Sequence, residues 1–497
     1  MRMRKLTTVL LLLAGLCSLL EGCGTPEKTW TVFQKEWEAR GEKFDYREFV
    51  PAPIPSEKNF AHTPLLKPLL EEKWNSELTE SKPTDPKKHE QAEGLLKIDA
   101  DLPSIILWPR GQRVDLAAFQ DVFRKEGSWP HPAKHGKPAE DVLKALGVFD
   151  NEMSELSRAA RERPLCRFDV KYEAHFAASV PHLLVLRNLT RCFTLRAVAN
   201  LEAGKLEAAF ADVEMGLFLT ECLATEPLAL SQLVRISNLE MILQPIWEGF
   251  AAEKWTVSQM VTLEKHLAGI DLVESCRRAL RCERDMANQF LYKVKEDADY
   301  KKAQEMVDLS RHWPSTDPIG WLDRNQLRFN ELYMKFNRRI IDTRTRTIQP
   351  SVAAEQLKYI EENKRKPDHV ISSLIVLSIG PLVRQFGNSQ TAVDQALLAC
   401  RLERHKLKKG AYPAKLDELE GDLPTDPYSG KAYLYSALPG DETTGRYQLY
   451  GIGWNLKDDS GKIVINEWGG ADNEKGDLVW SYSHPPALFE IPKPGDK

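Results

Sequence analysis

Apolar residues at steps of three and four are what most restrict this chain. Leu186, Leu189, Phe193, Ala197 and Leu201 fall on one helical side, and after Gly204 so do Leu206, Ala209, Phe210, Val213 and Leu217. A period near 3.6 gathers each set into one stripe that must be buried, whereas a strand would scatter it over both faces. Two stripes parted by a glycine predict an antiparallel helical hairpin. Leu233, Ile236, Leu239, Ile242 and Leu243 continue into a third helix, expected to end near Pro245. Thr256-Val-Ser-Gln259 has the spacing of a capping box, and Gly269 suits the stop of the helix it begins. The expected fold class is therefore mainly α, with a helical-hairpin, repeat-like body over residues 102–372. No 34-residue period recurs, so a counted repeat array is not expected. Helical stacks of this kind present a concave surface to a partner.

The N-terminus carries a different signal. Arg2, Arg4 and Lys5 precede a largely apolar run from Leu6 to Leu20. That run is shorter than the roughly 20 residues a spanning helix needs, and it fits a signal-peptide core. Leu20-Glu21-Gly22-Cys23 resembles the lipobox of bacterial lipoproteins. The resemblance implies a signal peptide over 1–22, lipidation at Cys23 and, with Gly24 next, an outer-membrane anchor facing the periplasm. A second membrane span is not expected, because the apolar stretch Val370–Val383 is short and contains Gly380-Pro381.

Residues 23–101 are rich in Pro, Lys and Glu, a composition that buries too little apolar surface to offset ordering. A largely extended tether is expected there, with Trp30, Phe33, Trp37 and Phe44 as the residues a short docking helix would use. The 68 basic and 72 acidic residues leave no basic stripe for nucleic acid. Of eight cysteines, six lie beyond Cys17 and Cys23. Cys276 and Cys282 sit about 9 Å apart along one expected helix, too far for a bridge. Buried free thiols are the expectation. Arg328, Lys335, Arg338, Arg339, Arg344 and Arg346 form a candidate binding face, but interleaved acids make a solvated helix surface the expected reading.

The tail changes character near Ser373. Gly410-Ala-Tyr412-Pro413 closes a helix, Leu416-Asp-Glu-Leu419 follows, then Leu423-Pro424, Asp426-Pro427 and Gly430, then the alternating stretch Tyr447–Asp459. In that order these motifs resemble the globular end of the major pseudopilins of type II secretion, over about 100 of 497 residues. Joined to a helical region, the tail is similar to uncharacterised exported proteins of planctomycete-like bacteria. The resemblance implies a small α+β module over 373–492, a helix on an antiparallel sheet. It also implies a calcium loop. Asp458, Asp459, Asp472 and Asp477 are the candidate calcium ligands, with Asn455 and Asn473 as further sources of amide oxygen. A plain hairpin turn uses the same residue types and is the favoured alternative.

Catalytic motifs are wanting. His131 and His135 are four apart but flanked by Pro130, Pro132 and Gly136, and no glycine-rich phosphate loop or G-x-S-x-G occurs. GWLDRN (Gly320–Asn325) and RHWP (Arg311–Pro314) are expected to be buried anchors. The sequence favours a lipid-anchored envelope protein that binds a protein or peptide partner and is not catalytic. An exported hydrolase with a site built from dispersed helix residues is the alternative, and a secretion-system accessory a third.

Overall fold

Gly204 turns the chain as the periodicity requires. The helices His182–Glu202 and Leu206–Glu221 flank it, and its φ of +74° is left-handed backbone that favours glycine. Every residue of the two stripes is buried except Leu206, which starts its helix half-exposed. The third helix, Ala229–Ala251, does not stop at Pro245 but carries it inside. The missing hydrogen bond costs about 3 kcal/mol. Burial of Ile246, Trp247 and Phe250 beyond the proline offsets that, at about 1.5–3 kcal/mol each. The expected capping box is formed: Thr256 accepts from the Gln259 amide and Gln259 returns the bond, at the start of Val257–Ala268.

The computed structural model describes residues 29–76, 78–98, 101–296, 316–376, 379–437, 446–466, 471–482 and 489–490. The signal segment, Cys23 and the RHWP stretch lie outside them. Two compact units emerge: Met1–Phe49 with Cys276–Gln385, and Val50–Ser275 with Phe386–Lys497. The divisions between them fall at 49/50, 275/276 and 385/386. Mainly helical architecture holds throughout, with small sheets.

The expected extended tether is corrected, because residues 29–98 are largely folded. In the first unit Trp30–Glu38 is a helix capped by Thr29, and Trp30, Phe33, Phe44 and Tyr46 are buried. Trp30 donates to the Tyr292 hydroxyl at 2.6 Å and meets Phe44 edge-on at 5.4 Å. In the second unit Phe60, Leu66 and Leu69 are buried, and a hairpin pairs β1 (Glu72–Trp74) with β2 (Ser81–Pro83). Composition averages over the window, whereas a few aromatic rings that each bury about 150–250 Å² suffice to dock it.

Further along the first unit a short hairpin joins β3 (Ile341–Asp342) to β4 (Thr347–Ile348). Trp321 of GWLDRN is buried with Phe290 and Phe329, an anchor as expected. The tail of the second unit starts from the long helix Ile379–Lys409, which ends where Gly410 takes φ +81°. The central strand β6 (Tyr447–Gly451) lies between β5 (Leu434–Ala437) and β9 (Leu478–Trp480), both antiparallel. A second sheet, absent from the expectation of one antiparallel sheet, sets β7 (Ile463–Ile465) between β8 (Ala471–Gly476) and the parallel β10 (Phe489–Glu490). The α+β tail packs against other parts of the second unit. Trp480 packs on Trp108 at 5.4 Å, Trp247 donates to the Ser481 carbonyl, and Arg446 donates to the carbonyls of Phe250 and Ala251.

The helical stretch Pro367–Lys409 is long and apolar enough to cross a membrane by length and composition. Several of its buried polar groups nevertheless have protein partners: Gln390 with the Leu272 amide, Asp394 with the Tyr433 hydroxyl, Gln395 with the Leu478 carbonyl. A core helix needs such pairing. The docked N-terminal segment gives a first test. Trp30→Ala should speed tryptic cleavage between residues 35 and 47 at least tenfold, since loss of a buried Trp costs about 3–5 kcal/mol. An unchanged rate would mean that the segment is a spacer after all.

Candidate functional site

The helix Leu272–Glu296 carries Arg277, Arg281 and Arg284 at steps of four and three, hence on one face. Arg284 is the innermost, about 1% exposed. It donates to Asp285 Oδ1 at 2.7 Å, to Glu42 Oε1 at 3.1 Å and to the Lys43 carbonyl. Its guanidinium carbon also lies 4.5 Å from the Phe44 ring centroid and 4.7 Å from that of Tyr333. Glu42 in turn meets Arg281 at 3.0 Å and Arg338 at 4.0 Å. Burial pushes the Asp285 carboxyl up to about 6, against the pull of Arg284 and Arg281.

Beyond Pro318–Leu332 the residues Tyr333–Asn337 widen into a π turn, an irregularity frequent at functional sites. The turn brings Tyr333, Asn337 and Arg338 to the arginine face. The β3–β4 turn adds Thr343 and Arg344, braced where Asp342 Oδ1 accepts the Arg344 amide at 2.9 Å. Together they line a cavity of about 480 Å³. Four arginines, 277, 281, 338 and 344, face two lining carboxylates, Glu42 and Asp342, so positive charge is in excess. Arg344 pairs with Asp342 at 3.5 Å and Arg338 with Glu42 at 4.0 Å, but their side chains are 91% and 52% exposed, so each guanidinium keeps edges open to an incoming group. Asn337 is buried. Its Oδ1 accepts from Gln356 at 2.7 Å, while its Nδ2 has no partner among the described residues. Guanidinium forks and an amide donor suit a carboxylate or another oxyanion. Beside the arginines and Asn337, the polar lining consists of Glu42, Asp342, Tyr333 and Thr343.

Only two residues of the charged face noted in the sequence, Arg338 and Arg344, reach this cavity. Arg328 pairs with Glu331, Arg339 with Glu355, and Lys335 lies over the rings of Phe336 and Tyr359. Arg277 and Arg281 are not among the residues the sequence singles out, although their spacing in SCRRALRCERD already places them on one helical face. Cys276 and Cys282 are unbridged, as expected.

The candidate calcium acids Asp458, Asp459, Asp472 and Asp477 each accept hydrogen bonds from nearby amide groups. Among the described residues no group of three or more His, Cys, Asp or Glu side chains is placed to hold a metal. Asp477 Oδ2 accepts the amides of Asp459 at 3.0 Å and Gly461 at 2.7 Å. Asp458 Oδ1 accepts the Ser460 amide, Asp459 Oδ2 the Asn455 amide group, and Asp472 Oδ1 the Glu474 amide on its own strand. With Ser460 and Gly461 at positive φ, these acids brace a tight turn. Burial, then the nearby charges of Asp459 and Asp458, raise the Asp477 carboxyl to about 6 in spite of its two amide donors.

Two smaller constellations lie in the second unit. A cavity of about 200 Å³ is lined by Glu72, Asp169 and His182 among others. His182 is committed to structure, bonded to the buried Glu226 at 2.9 Å and stacked on Phe168 at 4.1 Å. At the surface His62 bridges Ser56 Oγ at 3.0 Å and Asp169 Oδ2 at 3.1 Å, a Ser–His–Asp chain. Its Asp is 49% exposed and also paired with Arg167, so water and a cation compete for it. His131 Nδ1 bonds the Trp129 carbonyl at 2.8 Å.

The raised Asp477 carboxyl gives a signed prediction. The folded state holds this proton more tightly than the unfolded chain, so the stability it contributes is present below about pH 4 and lost as pH rises to about 6. Asp477→Asn should therefore raise the unfolding midpoint by a few degrees at pH 7.5 and have no effect at pH 4. Millimolar calcium should leave the wild-type midpoint unchanged. A calcium-dependent rise, lost in Asp458→Ala, would mean that these acids do converge on an ion.

Comparison with known proteins adds no kinship: no family model, no curated protein and no solved structure matches this chain.

Proposed function

We propose that this chain is an exported protein, lipid-anchored at Cys23 in the cell envelope, that binds the carboxylates of an acidic peptide or protein segment. One observation carries the binding part: open Arg338 and Arg344 head groups and the buried Asn337 amide, unpaired among the described residues, around a single cavity. The anchor and the periplasmic, outer-membrane location rest on the N-terminal sequence alone. A carboxylate-rich ligand fits a cavity whose cations are forked and partly exposed.

The test is titration of the full chain with a glutamate-rich peptide, followed by the fluorescence of Trp37, whose ring lies 5.2 Å from the Arg338 guanidinium. Arg338→Ala and Arg344→Ala should each weaken binding roughly fivefold to tenfold, given about 1 kcal/mol for an exposed ion pair and about tenfold per 1.4 kcal/mol. Added salt should weaken it further. Absence of saturable binding sinks the proposal, and competition by inorganic phosphate as strong as the peptide's own binding would redirect it to phosphorylated ligands.

The hydrolase alternative has one observation behind it, the Ser56–His62–Asp169 chain. A triad of this type would make Ser56 the nucleophile and His62 its base. A fluorophosphonate probe should leave Ser56 unlabelled, because the relay is exposed. Labelling at Ser56 that is abolished in His62→Ala would restore the enzymatic reading.

A further inference from the structure

Residues 165–167 run beside 58–60 in the second unit. The Phe60 amide donates to the Leu165 carbonyl at 2.7 Å, and Asn59 clasps the Arg167 backbone on both its amide and its carbonyl, at 2.9 and 2.8 Å. Cys166 is thus held at a defined point. On one flank Phe60 meets Phe218 edge-on at 5.0 Å. On the other flank Phe168 stacks on His182, which bonds Glu226. Phe218 and Glu226 lie four residues before and after Cys222, so the two flanks of Cys166 land on either side of Cys222. The two thiols are neighbours there, near enough for Cys166 to act on the Cys222 proton.

Cys192 donates to the Leu96 carbonyl at 3.2 Å, and Cys276 and Cys282 are separated along their own helix. Cys222 is buried and Cys166 half-buried. Burial, then the Cys166 thiol itself, holds the Cys222 thiol well above its ordinary value. Cys166 is accordingly the sulfur that reacts first.

We infer that Cys166 and Cys222 form a disulfide once the chain meets an oxidising compartment. The oxidant is a disulfide-exchange donor. The Cys166 thiolate attacks a donor sulfur, which gives a mixed disulfide and one free donor thiol. The Cys222 thiolate then attacks Cys166 Sγ and releases the second donor thiol. Two protein thiols are oxidised to one disulfide, the donor disulfide is reduced to two thiols, and the two protein thiol protons end on them. The bond closes a long loop and stitches the 58–60 and 165–167 segments to the end of the Leu206–Glu221 helix.

The export reading is needed only for the compartment, so the first measurement uses the purified full-length chain in oxidised glutathione. A digest made without reductant should contain the Cys166–Cys222 linked peptides. Cys166→Ser should lose them, and Cys222→Ser should carry glutathione on Cys166. The oxidised wild type should unfold roughly 5–10 °C above the reduced one. Cys166 carrying glutathione beside a free Cys222, a different pairing, or two thiols left free would each overturn the inference. Protein recovered from cells with its thiols blocked separates the pairing from the compartment. Linked peptides there support the bond, whereas a pair that is reduced in cells but links readily in glutathione keeps the pairing and counts against export.

Discussion

Arg284 is a fully charged group in a place without water, and the first unit is arranged around that difficulty. A lone buried guanidinium is costly, so each of its faces and edges is answered: Asp285 and Glu42 by charge, the Lys43 carbonyl by hydrogen bonding, Phe44 and Tyr333 by their rings. Those partners come from the 29–49 segment, the Leu272–Glu296 helix and the π turn. Satisfying one cation therefore ties three stretches, remote in sequence, to one spot. The arginine-lined cavity lies beside it because Glu42, which answers Arg284, also reaches Arg281 and Arg338.

The second unit solves a related problem with amides. Gln244 accepts the backbone amides of Leu107 and Trp108 and donates to the Gln112 carbonyl, and Glu248 accepts the Val114 amide. Asn59 does the same between 61 and 167. Irregular chain can be buried there because side chains replace the partners that a helix or sheet would supply. The same logic holds in the tail. Asp477 commits one carboxylate oxygen to two turn amides, those of Asp459 and Gly461.

Much is legible in the sequence where one period or one residue type governs. The Gly204 hairpin, the Thr256 cap, the stop at Gly410, the three strands around Tyr447–Gly451 and the unpaired Cys276 and Cys282 follow from local rules that tertiary contacts do not override. Pro245 departs from its local rule because the burial beyond it outweighs a lost hydrogen bond. The 29–98 segment departs from its composition because many charges hide a few rings that find a surface. Half the cavity, Arg338 and Arg344, lies in a stretch that is visibly basic. Arg277 and Arg281 lie in one whose cysteines are the more conspicuous residues.

The sequence by itself determined the Gly204 hairpin, the Thr256 cap and the stop at Gly410, since these depend on neighbours within a few positions of the chain. Only the tertiary structure decided which arginines face one cavity, which acids brace a turn, and which of six cysteines meet. Those depend on residues far apart in the chain, Glu42 with Arg284 among them. Charge and hydrogen bonding act over a few ångströms of space, whatever the distance along the chain.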